Sequence, residues 1–296
     1  MQNVVLGYIL AIASSFFHTL YIIPRKISNQ KPIYYILYMS IGFMIASIAI
    51  CIFQGFNKYS VDIASPLLMY AAIAGILSMI ASICVVIAID EIGMSRSNQW
   101  KNFQGPIGAG LIFFFFGESV NTKISFLVLA IIAIFMSAML LTIKDNTQKA
   151  VNKKGIIYAL LAALFYGINA LMRKYTSDAN LIYEQQLYSS IFMFLSALIY
   201  IVIKREKSSG KIIQKDNILA ISAGVIYYFA TYFFITAYKY IQGSIAYTIV
   251  QLNTVFTLIF GILVFKELEF KKNWGRIISG VTFSVIGLLM LMIAQK

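Results

Sequence analysis

The chain is poor in charge and almost devoid of the residues that build metal or disulfide sites. Of its 296 residues 12% are charged, 11 are acidic, 1 is histidine, 2 are cysteine and 4 are proline. An ordinary soluble domain carries about 25% charged residues, so a water-facing globular surface is excluded. Two cysteines cannot staple a small secreted fold. Cys51 and Cys84 stand inside apolar runs, where a thiol is a small buried hydrophobe. No Walker loop, His-Glu-x-x-His, Gly-x-Ser-x-Gly or paired-cysteine spacing is present. ATP coupling, metal chemistry and hydrolysis therefore lack the residues to carry them, and neither a cofactor nor a catalytic residue is expected.

What the chain has in abundance is apolar length. It is 60% hydrophobic, with 23 Phe, 19 Tyr and 12 Met. Crossing hydrocarbon about 30 Å thick takes about 20 residues of helix, and ten runs meet or approach that length: 4–24, 33–53, 67–89, 97–117, 124–143, 155–172, 182–203, 217–238, 243–265 and 275–294. Backbone groups in lipid must pair within their own segment, so the runs are read as helices. A β-barrel would alternate apolar with polar, and Leu111 to Phe116 does not. Met1-Gln2-Asn3 brings no basic residue to the first run, which is expected to be a retained helix rather than a cleaved signal.

A net charge of +13 invites a nucleic-acid partner, but such a partner needs basic residues clustered on a water-facing surface. Here they sort by membrane side. The connectors after the first, third, fifth, seventh and ninth runs hold seventeen basic residues, the opposite side holds six, and Lys101 lies within the fourth run. The positive-inside rule places the first side in the cytoplasm and both termini outside. The expected partners are the lipid bilayer and a small-molecule substrate, with no nucleic acid.

The chain also matches itself. An offset of 148 residues puts Gly7 on Gly155 and Arg25-Lys26 on Arg173-Lys174; an offset of 149 puts Gly75 on Gly224, Ala81 on Ala230, Ala88 on Ala237, and Phe116 with Glu118 on Phe265 with Glu267. A five-helix unit used twice explains both offsets. Five is odd, so the second copy enters the membrane from the opposite face. The expected fold class is an all-α membrane protein of ten transmembrane helices arranged as two inverted five-helix repeats, 1–148 and 149–296. Such repeats place a substrate site near the midplane between the halves.

With Phe-Gly-Glu at 116–118 closing the fourth run and Phe-Lys-Glu at 265–267 closing the ninth, the chain resembles the drug/metabolite transporter superfamily, of the ten-helix EamA-like kind. Ile92-Gly93-Met94-Ser95-Arg96, followed by Gly105 and Gly108, is similar to its glucose/ribose porter branch. That resemblance implies membrane transport, with a sugar as one substrate class. Gln99-Trp100-Lys101-Asn102 is bulkier and more polar than a sugar porter would place there.

Polar side chains inside spans are costly and mark functional candidates. The densest set opens the fourth run, where Asn98, Lys101 and Asn102 recur at helical spacing beside Trp100 and Gln104. The related part of the ninth run carries Tyr247, Gln251 and Asn253, with Gln251 on Asn102 and Asn253 on Gln104. Two amide pairs related by inversion would hold a hydroxylated or zwitterionic ligand from both halves, or else bind helix to helix. Tyr227, beside Tyr228, Thr231 and Tyr232, adds a hydroxyl-rich face. His18 falls on Tyr166, and on those helices Tyr21 with Arg25 and Asn169 with Arg173 share a face. Trp100, Asn102, Gln104, Tyr166, Asn169, Tyr227, Tyr247, Gln251 and Asn253 are thus substrate-binding candidates. His18, Lys101 and Glu184 are candidates for proton coupling, against plainer roles in packing, in snorkelling to the interface and at a helix start. Glu118 and Glu267 are assigned to capping.

The expected function is secondary transport of a small polar metabolite, with a sugar as one candidate, by alternating access driven by protons or exchange. Export of amino acids or amphipathic drugs, and a membrane receptor or scaffold that moves nothing, remain alternatives.

Overall fold

The computed structural model describes residues 2–56, 65–117, 124–141, 152–206, 214–266 and 270–294. Every regular element among them is an α-helix: α1 Gln2–Leu20, α2 Ile23–Ile27, α3 Pro32–Phe56, α4 Leu68–Ile92, α5 Met94–Lys101, α6 Gln104–Phe116, α7 Ile124–Leu141, α8 Lys153–Asp178, α9 Ile182–Lys204, α10 Lys215–Ala237, α11 Gly243–Val250, α12 Asn253–Leu263 and α13 Phe270–Ala294. Glu118 and Glu267 lie outside the described residues.

Eight segments are long and apolar enough to cross a membrane. The fourth expected run is divided between α5 and α6, and the fifth is α7, whose apolar stretch Val128–Leu141 is shorter than a full span. Burial is inverted relative to a soluble protein. Phe114, Val202, Ile203 and Leu263 are among the most exposed side chains, while every residue of the polar α5 is buried. Chain length and this outward apolar surface make the protein a multi-pass integral membrane protein.

Proline and glycine set the breaks. Proline has no N–H to give and its ring clashes with the carbonyl four residues back. Pro24 opens α2 just after α1 ends, and Pro32 opens α3. Pro106 stands four residues after Asn102, and the helix breaks at Asn102-Phe103. Gly93 joins α4 to α5 at φ 84°, a conformation that glycine alone adopts without strain. The second break, at Gln251-Leu252, has no proline. There the turns tighten, with Gln251 N donating to the Thr248 carbonyl at 3.0 Å and Thr254 N to the Gln251 carbonyl at 3.0 Å. Side chains take up the freed carbonyls: Asn253 Nδ2 donates to Val250 O at 2.8 Å and Gln251 Nε2 to Tyr247 O at 3.1 Å.

Small residues let the helices close. A Cβ on Gly75 of α4 would lie 2.4 Å from the Ser189 carbonyl oxygen of α9, and one on Gly224 of α10 would lie 1.9 Å from the Met39 carbonyl oxygen of α3. Backbones in contact are how membrane helices gain packing energy where lipid is as apolar as leucine. α4 also packs on α8, α10 on α1, α6 on α8, α11 on α1, α3 on α9 and α7 on α13.

Candidate functional site

Where α1, α8 and α10 meet the broken helices, a narrow cavity of about 40 Å³ remains. His18 lines it from α1, Tyr21 from the turn after α1, Lys101 and Gln104 from the first break, Tyr166, Asn169 and Arg173 from α8, Tyr227 and Thr231 from α10, and Tyr247 from α11. Four tyrosines therefore offer ring faces and hydroxyls to one space.

Arg173 organises one wall. Its Nε donates to Asn169 Oδ1 at 2.5 Å, and its Nη2 lies 3.3 Å from both Ser78 Oγ and the Tyr227 hydroxyl. Asn169 Nδ2 in turn donates to Ser78 Oγ at 2.8 Å and to the Ala74 carbonyl at 2.6 Å, tying α8 to α4. The sixth run was expected to end at residue 172, before the charges, yet α8 continues to Asp178 and carries Arg173 inside the protein. The helix passes through because neutral partners already wait for the guanidinium. Lys101 is also inside, 3% exposed, with its Nζ over the Tyr166 ring at 5.7 Å. It does not snorkel to an interface. His18 Nδ1 donates to the Ser14 carbonyl at 2.9 Å, which leaves Nε2 as the acceptor of the ring.

The amides of the two halves bond one another, in pairs other than the repeat-related ones. Gln104 Nε2 donates to Gln251 Oε1 at 2.8 Å, and Asn98 Nδ2 to Asn253 Oδ1 at 3.0 Å. Gln104 borders the cavity, while Gln251 and Asn253 sit behind it as the supports of the second helix break. Asn102, also buried, lies at the first break outside the lining. Trp100 turns away, 6.4 Å from the Phe103 ring and edge-on to Phe135 of α7 at 6.0 Å, in an apolar cluster with Ala88, Ile92 and Ala159. Glu184 lies buried in the first turn of α9, away from the cavity. Its carboxylate acts on Lys239, whose ammonium is pulled below its ordinary pKa by burial and pushed back up by Glu184. Ser78 was missed, being one serine in an apolar run. A clue was available: it stands 149 residues before Tyr227, and the two hydroxyls are 3.4 Å apart.

The family model described as sugar transport protein matches residues 56–294. An uncharacterised protein of Haemophilus influenzae is 28% identical over 214 residues, covering 71% of this chain and 70% of that protein. A Listeria innocua protein whose name assigns it provisionally to sugar uptake is 25% identical over 231 residues, 75% of this chain and 78% of its own. A Listeria monocytogenes protein named in the same way is 25% identical over 215 residues, 71% and 73%. A solved structure superposes with a TM-score of 0.68 over 99% of this chain and 96% of its own at 13% identity, a likeness of fold alone. These matches point to a transport protein rather than an enzyme. Given a match over most of its length and a fold built to cross the bilayer, the chain belongs to the sugar transport protein family.

Proposed function

We propose that the protein is a secondary transporter that moves a sugar-like metabolite by alternating access, with two inverted five-helix repeats, 1–148 and 149–296, rocking about the cavity. The observation that carries this reading is that one cavity is lined from both halves at the positions where their helices break. Support for inversion comes from pairs that the sequence offset relates. His18 with Tyr166, Tyr21 with Asn169, and Lys101 with Val250 all border the same space. The packing is paired as well, since α4 on α8 has its counterpart in α10 on α1, and Gly75 against α9 in Gly224 against α3. On this reading the α5–α6 and α11–α12 segments each make one span, α7 another, and the total is ten, as in the drug/metabolite transporter superfamily.

In this proposal Tyr21, Tyr166, Tyr227 and Tyr247 stack against and hydrogen-bond the sugar, and Gln104 and Asn169 bond its hydroxyls. Asn102, Gln251 and Asn253 hold the breaks in register, and Trp100 anchors the first break to α7. His18 and Lys101 border the cavity, so a proton taken up there is felt by the substrate. Glu184 acts at a distance, through the α9 end. The test is flux into proteoliposomes of labelled sugars, amino acids and cations, with and without a proton gradient, for wild type and Gln104→Ala. Saturable sugar uptake weakened in the variant is expected. Flux of amino acids or cations alone would replace the sugar reading with an exporter, and no flux at all would overturn transport.

A further inference from the structure

The cavity carries an imbalance of charge that a neutral sugar does not answer. Arg173 is 2% exposed and Lys101 is 3% exposed, and both border the empty space. Among the described residues no carboxylate borders it. Arg173 spends Nε and Nη2 on neutral partners, and its buried Nη1 has none. Its other neighbour is the Tyr227 ring, 6.0 Å away. Lys101 makes no hydrogen bond or ion pair that the described residues show, and its Nζ lies 5.7 Å from the Tyr166 ring. The acids nearest Arg173 in sequence lie outside the lining, Asp178 pairing with Lys174 at 2.8 Å and Glu184 standing in the first turn of α9. Burying two cations without an anion is costly, and the described hydrogen bonds and ring contacts that meet them come from neutral groups.

The other half shows what an offset would look like. Arg25, the counterpart of Arg173 in the repeat, is buried and pairs with Asp90. One repeat further on, where Asp90 would recur, the chain has Lys239. The second arginine has therefore kept its place and lost its carboxylate, and it faces the cavity instead of an ion pair.

We infer that the cavity takes a polyol bearing an oxyanion, a carboxylate or a phosphate, received by Arg173 and Lys101 while the tyrosines hold the ring. This rests on the cavity being the substrate site. A guanidinium with one free N–H edge and an ammonium facing the same space form a two-point anion receptor. The substrate then supplies the countercharge that the fold withholds, and the empty state is the one with unpaired charge.

Equilibrium binding to the purified protein in detergent tests this separately from flux. The probes are glucose, gluconate, glucose 6-phosphate and inorganic phosphate, against wild type, Arg173→Gln and Lys101→Met. Lys101→Met removes no hydrogen bond among the described residues, so it keeps the test open if Arg173→Gln fails to fold. Saturable binding of gluconate or glucose 6-phosphate, tighter than glucose and weakened roughly ten- to hundredfold in either variant, is expected. Gluconate alone would name a carboxylate, and glucose 6-phosphate with competition by inorganic phosphate would name a phosphate. Glucose binding that both variants leave unchanged, with no anion bound, would overturn the inference and leave sugar transport standing. Anion binding without flux of any solute would uphold the receptor and overturn transport.

Discussion

At the scale of single residues, hydroxyl and ring separate cleanly at Tyr227. Its ring packs edge-on to Phe43 and to Tyr21, while its hydroxyl meets Arg173 and Ser78. Tyr227→Phe removes only the second set. A hydrogen bond to a charged group contributes about 1.5–3 kcal/mol to stability, so the expected result is a lower melting temperature together with a raised KM, read from uptake rates. Trp100→Ala is a different case. The indole fills an apolar cluster and is not among the residues that line the cavity, so the variant should lose about 3–5 kcal/mol of stability in a denaturant titration while the folded fraction keeps its KM. A KM raised as in Tyr227→Phe would place the indole at the substrate.

At the scale of elements, the sequence carried the helices further than the faces. The expected runs 182–203 and 217–238 became Ile182–Lys204 and Lys215–Ala237, because length and hydropathy are properties of the run itself. Which face a residue shows depends on continuity, and the spacing of Asn98, Lys101 and Asn102 assumed one unbroken helix. Pro106 ends that helix at Asn102, so Lys101 borders the cavity while Trp100 and Asn102 do not. The offset of 149 residues set Gln251 on Asn102 and Asn253 on Gln104, but the bonds that form are Gln104–Gln251 and Asn98–Asn253, and only they show amides holding the breaks rather than lining the space. Close backbone approach was legible at glycine. Gly224→Ala would drive a methyl into the α3 backbone at Met39 and Phe43, and overpacking of this kind costs about 1–3 kcal/mol. A lower melting temperature is expected for Gly224→Ala and for Gly75→Ala alike, whereas Gly110→Ala, with nothing within 4 Å of the added carbon, should melt as wild type.

At the scale of the whole molecule, the proposed alternating access requires that each end of the cavity be closed by something that can open. One end has an evident closure. Arg25 donates to the Gln30 carbonyl at 2.5 Å, lies over the Tyr35 ring at 5.3 Å and pairs with Asp90, whose side chain is 42% exposed. Between this pair and the cavity is a second, smaller void of about 10 Å³, bordered by Tyr21, Arg25, Tyr35, Ser82 and Ile89. Tyr21 is common to both spaces, so a path from the cavity to the strongly basic side runs past the ion pair. A half-exposed pair contributes about 1 kcal/mol, small enough to break during transport and enough to shift two conformations about fivefold. Ile89→Cys, in a chain whose Cys51 and Cys84 are replaced by serine, reports on this path through its reaction with a membrane-impermeant maleimide. Adding Asp90→Asn is expected to speed that labelling from the basic side about fivefold, while a cysteine at Phe234 on the far side of the cavity reacts as before. Labelling at Ile89→Cys that ignores Asp90→Asn would mean the pair holds α2 to α4 without closing the path.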